Sequence, residues 1–287
     1  MLEFFETHWL LNTLLVTLAI GLVAFINKVF AERHFDQRFV AIVLFGLLCL
    51  ITLGSLLLLE SKALSLLETM LALAFGAQMY SYTLIMIATL RYLPTATFFI
   101  SVRLISSFAL LIIGVWYFKD VLDTYDILGF ILGAGALALL FEPEEKVGSN
   151  YQKGIVLMGI GIGSLIIGHT KIKIISQNTA SIPYFLLVAF LSAFLISLVF
   201  GYKTIQANKH HFREILKINL IQAGLSFYYF FMLFFVYAEG DLGISYKIQS
   251  YSPFIPIILA TLIYQERLSP KKLVALGLVA VSLWFFA

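Results

Sequence analysis

The chain contains ten apolar stretches, each long enough to cross a lipid bilayer, separated by short polar breaks over 287 residues. A hydrocarbon core about 30 Å thick requires roughly 20 helical residues, and no soluble domain of this length can bury ten such segments in one core. The stretches lie near residues 9–29, 39–59, 65–89, 95–118, 125–141, 154–175, 182–202, 218–238, 243–264 and 271–287. We therefore predict an all-α polytopic membrane protein with ten transmembrane helices.

The composition agrees with lipid as the solvent, since 61% of the residues are hydrophobic and only 12% are charged. Strands of a membrane barrel would alternate apolar and polar residues, which these runs do not. The net charge of +3, with basic residues spread over many loops, predicts no nucleic-acid partner. The single cysteine, Cys49, lies in an apolar run, so we expect no internal disulfide, no metal site and no cofactor. The N-terminal residues lack a basic leader, so the first helix is expected to be retained.

The longest hydrophilic break in the middle of the chain, residues 142–153, divides the stretches five and five. We predict a first repeat over residues 1–142, a linker over 143–152 and a second repeat over 153–287. The halves align weakly at a common offset, which pairs Asp120 with Glu266, Arg103 with Gln249 and Tyr82 with Tyr228. Because each unit has an odd number of spans, the two repeats must be inverted relative to each other.

The distribution of Lys and Arg in the short loops predicts the orientation, because cytoplasmic loops carry more of them. One side holds only Lys62 and Lys119, with Lys171 and Lys173 near a helix end. The other side holds Arg33, Arg38, Arg91, Lys146, Lys153, Lys203, Lys209, Arg213, Lys217, Arg267, Lys271 and Lys272. We therefore expect a multi-pass protein of the plasma membrane, the inner membrane of a bacterium, with both termini outside.

Arg103 is the first candidate binding residue, because it lies deep within the fourth span, about 12 Å along the helix from its start. An arginine at that depth costs several kcal/mol if it faces lipid, so it must face the bundle interior. Ser106 and Ser107, one turn along, extend the same polar face. Two interpretations stay open: a substrate-binding guanidinium, or an arginine that pairs with a backbone carbonyl for structural reasons.

The ninth span contains the most polar intramembrane segment, with Lys247, Gln249 and Ser252 close together before Pro253 and Pro256. Each proline lacks an amide hydrogen, so the backbone carbonyls of Gln249 and Ser252 are predicted to be free for a ligand. A broken helix at mid-depth is typical of a substrate site in an inverted-repeat transporter. The alternatives are a proline kink that serves packing and a Lys247 that reaches the outer interface.

Polar side chains on three further spans extend the candidate site: Gln78 and Tyr82 on the third, Lys171 on the sixth and Tyr228 on the eighth. Gln78, Tyr82 and Tyr228 either line a cavity between the halves or make ordinary hydrogen bonds between helices. Lys171 either reaches that cavity or anchors its helix at the interface.

Small residues predict where helices pack closely rather than where a phosphate binds. Gly159, Gly161 and Gly163 lie inside an apolar helix with no preceding strand, so a phosphate loop is excluded. We predict close packing at these three glycines and at the pair Gly129 and Gly133.

No Asp or Glu lies near the middle of any span. Proton-coupled exporters of cations usually carry such a carboxylate, so the buried positive charges favour a neutral, zwitterionic or anionic cargo. No Ser/His/Asp, paired-carboxylate or clustered-His arrangement lies at a common depth, so we do not expect an enzyme.

Residues 88–96 (ATLRYLPTA) before the fourth span, and residues 266–270 (ERLSP) before the last helix, resemble the EamA-type transporters of the drug/metabolite transporter superfamily. The resemblance covers the whole chain and implies two five-helix halves. Members export amino acids or other metabolites, and relatives exchange nucleotide sugars or sugar phosphates. In the phosphate-exchanging relatives, basic residues on the sixth and ninth helices bind the anion, and Lys171 and Lys247 occupy comparable helices here. Ala275 departs from the pattern, which commonly has a glycine there.

The function predicted from these observations is secondary-active export or exchange of a small polar, zwitterionic or anionic metabolite by alternating access. The partners expected are this small molecule and membrane lipid, and homo-oligomer formation stays open. Two alternatives remain: a flippase for a lipid-linked substrate, which needs a lateral opening beside Arg103, and a membrane scaffold, which needs no cavity at all.

Overall fold

The computed structural model describes residues 9–58, 63–93, 95–139, 149–177, 181–255, 258–259 and 270–286. These residues are almost entirely helical and contain no strand. The principal helices are α1 (Trp9–Glu32), α2 (Gln37–Leu58), α3 (Leu66–Thr89), α4 (Thr95–Ile113), α5 (Thr124–Leu139), α6 (Ser149–Ser176), α7 (Ile182–Ala207), α8 (Phe212–Glu239), α9 (Leu242–Gln249) and α10 (Pro270–Phe286). A π-helical turn, Gly114–Phe118, continues α4.

The surface of the helices is apolar, as a lipid-facing surface must be. Seven helical segments within the described residues, in α1 to α4 and α6 to α8, are long and apolar enough to cross a membrane, and α5 and α10 contain shorter apolar segments. Large apolar side chains point outward, with Leu57 83%, Trp116 79% and Trp284 81% exposed. Soluble proteins rarely present such a surface. The chain is therefore a multi-pass helical membrane protein.

Several helices extend past the predicted spans because polar residues continue them beyond the hydrocarbon core. Helix α7 runs on to Ala207, α8 begins at Phe212, and α6 begins at Ser149, within the predicted linker. Residues 143–148 of that linker lie outside the described residues. Helix α9 is shorter than predicted, since it ends at Gln249 and a turn follows up to Pro253. Residues 260–264 of the predicted ninth span also lie outside the described part of the chain.

The helices of the bundle pack against one another in several pairs. Helix α1 contacts α8 and α9, helix α6 contacts α3 and α4, and α7 contacts both α2 and α3. Helix α2 also contacts α8, while α4 contacts α9 and α5 contacts α10. Three apolar cores lie within the described residues. The largest fills the space between α1, α2, α3, α4, α6, α7, α8 and α9, a second joins α4, α5, α9 and α10, and a third joins α1, α2, α3 and α8.

Close helix contacts occur at some of the predicted glycines and not at others. A Cβ atom on Gly133 would lie 2.0 Å from the Tyr251 hydroxyl, which confirms the predicted packing there. At Gly159 and Gly163, no neighbouring atom lies within 4 Å of the place that a Cβ atom would occupy, so the prediction for these two was wrong. They lie on an open face of α6.

Candidate functional site

A cavity of about 120 Å³ lies between α1, α3, α4, α6 and α8. Its polar lining residues are Asn27, Gln78, Tyr82, Arg103, Ser164, His169 and Tyr229. The other lining residues are apolar or glycine. A cavity of this kind, mostly apolar with a few polar groups, is typical of small-molecule sites, although these usually have larger volumes.

A second cavity of about 60 Å³ adjoins the first, because Asn27, Tyr82 and Tyr229 line both. Its additional polar residues include Gln222, whose Nε2 donates a hydrogen bond to Asn27 Oδ1 at 3.0 Å. The Gln222 Oε1 atom is buried and has no hydrogen-bond partner among the described residues. The second cavity therefore presents an unpaired acceptor close to the first.

Arg103 on α4 faces the interior, as its depth requires, and is 7% exposed. Its Nη1 donates a hydrogen bond to the Tyr246 hydroxyl at 3.2 Å, and its Cζ lies 5.6 Å from the centre of the Tyr246 ring. No carboxylate among the described residues forms an ion pair with it. The guanidinium is therefore a buried positive charge on the cavity wall that aromatic and hydroxyl groups stabilise only in part.

Hydrogen bonds connect this wall to α6, α8 and α9. The Nδ1 atom of His169 lies 2.5 Å from the Tyr237 hydroxyl, and Gln249 Nε2 donates to the same hydroxyl at 3.3 Å. The His169 ring also packs edge-on against Tyr246, with 4.6 Å between ring centres. Gln249 therefore lies behind the cavity wall and holds Tyr237, which in turn contacts the histidine on the wall.

Lys171 and Gln78 lie together at the edge of the cavity. Lys171 Nζ donates to Gln78 Oε1 at 2.9 Å, and the Gln78 amide nitrogen donates to the carbonyl of Ser164. Lys171 lines neither cavity and is only partly buried. Its role in this structure is to orient the amide of Gln78, which does line the cavity.

Three of the predicted site residues, Lys247, Ser252 and Tyr228, lie away from the two cavities. The Lys247 ammonium is completely buried with no hydrogen-bond partner among the described residues, 4.5 Å from the centre of the Phe130 ring on α5. Tyr228 is partly buried against the core, and its neighbour Tyr229 lines the cavities instead.

The backbone carbonyls predicted to be free after α9 are hydrogen bonded. The Gln249 carbonyl accepts from the Ser252 amide at 3.0 Å, and the Ser252 carbonyl accepts from the Ile255 amide at 3.2 Å. The prediction was wrong because the chain tightens into a turn with i to i+3 bonds, which replace those that the prolines remove. The Ser252 carbonyl also packs 2.8 Å from where a Cβ on Gly21 would lie, so α1 covers it.

Sequence reasoning missed Asn27 and His169 as cavity residues. Each is a single polar side chain near the end of a long apolar helix, a position that interfacial residues also occupy. One weak signal was available, since Asn27 lies on the first helix and His169 on the sixth, and the proposed repeat would make these two helices equivalent, although its offset pairs Asn27 with Lys173.

Charged side chains form hydrogen bonds between several helices at one end of the bundle. Lys173, in the last turn of α6, donates to the carbonyls of Tyr237 at 2.8 Å and Gly240 at 2.9 Å, where α8 ends. Asp120, after the π-helical turn, accepts the first backbone N–H of α9 at 2.8 Å. Burial raises the pKa of the Asp241 carboxyl above its ordinary value of 3.8, and the nearby Asp120 carboxylate raises it further.

The fold is one that is already known among solved structures. A structure described as "Crystal structure of protein" matches with a TM-score of 0.71 and 11% sequence identity, covering 96% of this chain and 97% of its own. At that identity the likeness shows a shared fold and nothing about activity. No protein-family model matches the chain, and no curated protein matches it.

Proposed function

We propose that the chain is a secondary-active transporter of a small anionic or zwitterionic metabolite, which binds in the cavity beside Arg103. The observation that carries the proposal is the buried guanidinium with no carboxylate partner among the described residues. A buried charge without a counter-charge costs several kcal/mol, and a carboxylate of the cargo would remove that cost. Bidentate hydrogen bonding to a carboxylate is also what a guanidinium does best.

The helix contacts support ten spans in two inverted five-helix repeats, over residues 1–142 and 153–287. If α1 to α5 are exchanged with α6 to α10, the α1–α8 contact becomes α6–α3 and the α2–α8 contact becomes α7–α3, and all four occur. The contacts α2–α7, α4–α9 and α5–α10 map onto themselves. The cavity lies between α1, α3, α4, α6 and α8, and four of these helices form the matched pairs α1 with α6 and α3 with α8. Alternating-access transporters with inverted repeats bind cargo between such pairs.

The burial of Arg103 supports a water-soluble cargo over a lipid. Arg103 is 7% exposed, so its guanidinium does not border a lateral opening wide enough for acyl chains in this conformation. A volume of about 120 Å³ exceeds what one or two waters need, which argues against a solid scaffold. Rocking of the two halves would then expose the cavity to either side in turn.

The basic loops support an inner-membrane protein with both termini outside, and the resemblance to EamA-type transporters supports export or exchange. The end of the bundle where Lys173 and Asp120 form hydrogen bonds between helices would face outside in this orientation. Transport would be driven by the gradient of the cargo or of a coupled ion.

Ligand binding is tested by thermal unfolding of the purified protein against a panel of carboxylates, amino acids and phosphate esters. A ligand that binds only the folded state must raise the melting temperature. We expect a shift for at least one carboxylate, and a loss of about 10- to 100-fold in its affinity in Arg103→Gln, since a charged hydrogen bond contributes roughly 1.5–3 kcal/mol. Arg91→Gln is the matched control, because Arg91 lies outside the cavity and donates to the Phe35 carbonyl.

Transport itself is tested by counterflow in proteoliposomes, in which an internal unlabelled metabolite draws labelled metabolite inward. We expect counterflow with the native protein and with Arg91→Gln, and a strongly reduced rate with Arg103→Gln. If the whole panel neither shifts the melting temperature nor shows counterflow, the transporter proposal is refuted in favour of a scaffold.

A further inference from the structure

The cavity lining contains one side chain of a type that ordinarily titrates near neutral pH, the imidazole of His169. The lining that the structure describes includes no Asp, Glu, Lys or Cys. Tyrosine and arginine, the other titratable types there, hold their protons throughout the physiological range. Within this lining, His169 is therefore the side chain to which a proton that travels with the cargo would bind.

The histidine is held by one ring nitrogen while the other stays available. Nδ1 pairs with the Tyr237 hydroxyl at 2.5 Å, and Nε2 makes no hydrogen bond within the described residues. No carboxylate is present in the described part of the lining to neutralise an imidazolium. The titratable groups near it are Arg103 on α4, Tyr82 on α3, Tyr229 and Tyr237 on α8, and Tyr246 on α9, while α1 contributes none to the lining.

The geometry couples a proton on His169 to an anion in the cavity. The His169 ring centre lies 4.6 Å, and the Arg103 Cζ 5.6 Å, from the same Tyr246 ring. Both residues also line the same cavity, and two positive charges on the wall of one small cavity repel each other where water is excluded. An anion bound beside both attracts each of them, so the anion and the proton bind best together.

We propose that His169 takes up one proton with each anionic cargo molecule, which makes the protein a proton-coupled transporter; this inference rests on the function proposed above. A hydronium ion on the open side gives its proton to the imidazole lone pair and leaves as water, and the resulting imidazolium lies beside the cargo carboxylate. After the halves rock, the cargo leaves and the imidazolium returns the proton to water on the other side, which forms hydronium again. Movement of a monoanion with one proton is electroneutral, so the membrane potential neither drives nor opposes it.

The test counts protons per molecule of cargo in proteoliposomes that contain a pH-sensitive dye. L-lactate, L-alanine and L-glutamate, each radiolabelled, serve as probes, and uptake of probe and acidification of the lumen are followed together. For the native protein we expect about one proton per probe molecule transported. For His169→Gln we expect the proton ratio to fall to about zero for whatever probe flux remains.

Tyr228→Phe is the matched control, because it removes a tyrosine hydroxyl from α8 at a residue that lines neither cavity, and it keeps both His169 and its partner Tyr237. We expect it to retain a ratio of about one. An unchanged ratio in His169→Gln overturns the proposal, and so does a native protein that moves probe without protons, which leaves the transporter assignment intact. A His169→Gln variant that is folded but moves no probe assigns the residue to cargo binding and also overturns it. Absence of counterflow for every probe with the native protein refutes both proposals.

Discussion

The contact between α3 and α7 at Gly76 gives a sharp test of how the bundle packs. A Cβ atom on Gly76 would lie 2.0 Å from the Ala189 carbonyl oxygen and 2.9 Å from Ser192 Cβ. An ordinary contact is at least 3.4 Å, so Gly76→Ala requires the helices to separate locally by about 1.4 Å. The obstructing atom belongs to the backbone, and no rotamer change can relieve the clash.

The expected loss of stability follows from two opposing effects. Overpacking costs typically about 1–3 kcal/mol, and a clash with backbone belongs at the upper end of that range. Alanine is favoured over glycine inside a helix by about 1 kcal/mol. We therefore expect Gly76→Ala to lower the free energy of unfolding by about 2 kcal/mol.

Gly54→Ala is the matched control, because Gly54 also lies in a transmembrane helix and no atom lies within 4 Å of its Cβ position. The control is expected to be as stable as the native protein, or more stable by up to about 1 kcal/mol. Equilibrium unfolding in mixed micelles measures both variants under the same conditions. Equal stability of the two variants would refute the close α3–α7 contact.

Three further changes test the charged groups. Lys173→Met leaves two carbonyls at the end of α8 unpaired, so the free energy of unfolding should fall by about 1–3 kcal/mol in the same assay. Asp241→Asn removes a carboxyl whose pKa is raised in the folded state by burial and by Asp120. The folded state therefore disfavours the ionised form, and the variant should gain more stability at pH 7 than at pH 4, because the carboxyl protonates at a higher pH in the folded state than in the unfolded state. Lys247→Met replaces a buried ammonium that lacks a hydrogen bond, so it should raise stability by about 1–4 kcal/mol and leave ligand-induced thermal shifts unchanged; loss of those shifts would restore the sequence-based assignment of Lys247 to the site.

The multi-pass helical character was predictable because lipid allows few alternatives to an apolar helix. Within the described residues, seven of the predicted stretches are helices that are long and apolar enough to cross a membrane. Two helices, α9 and α8, differ from the predicted spans, and each difference has a local cause. Pro253 ends α9 early because it lacks the amide hydrogen that a helix needs, and the chain turns there instead. Helix α8 begins at Phe212, before the apolar run, because hydropathy locates the hydrocarbon core and not the polar helical turns outside it.

Glycine spacing alone did not reveal which helix faces meet. The run of Gly159, Gly161 and Gly163 has the sequence pattern of a packing face, yet two of the three have open space beside them. Gly76 is the single glycine of α3, and a Cβ atom on it would lie nearer to a neighbouring backbone than at the other described glycines, 2.0 Å from the Ala189 carbonyl oxygen. Close packing depends on the partner helix as well, and a single sequence does not state which helix that partner is.

The same limit explains why Arg103 and Lys247, two cations that lie deep within predicted spans, have different surroundings. Tyr246 and Lys247 are neighbours on α9, and successive residues of a helix point about 100° apart. Tyr246 contacts Arg103 at the cavity wall, while Lys247 points to the Phe130 ring on α5. The position of each cation along its helix was readable from the sequence, but the face that it occupies was not. The described cavity lining therefore includes one fixed positive charge, Arg103, instead of the two predicted. For the transport function proposed above, one charge favours a cargo with a single carboxylate over a dianion such as a sugar phosphate.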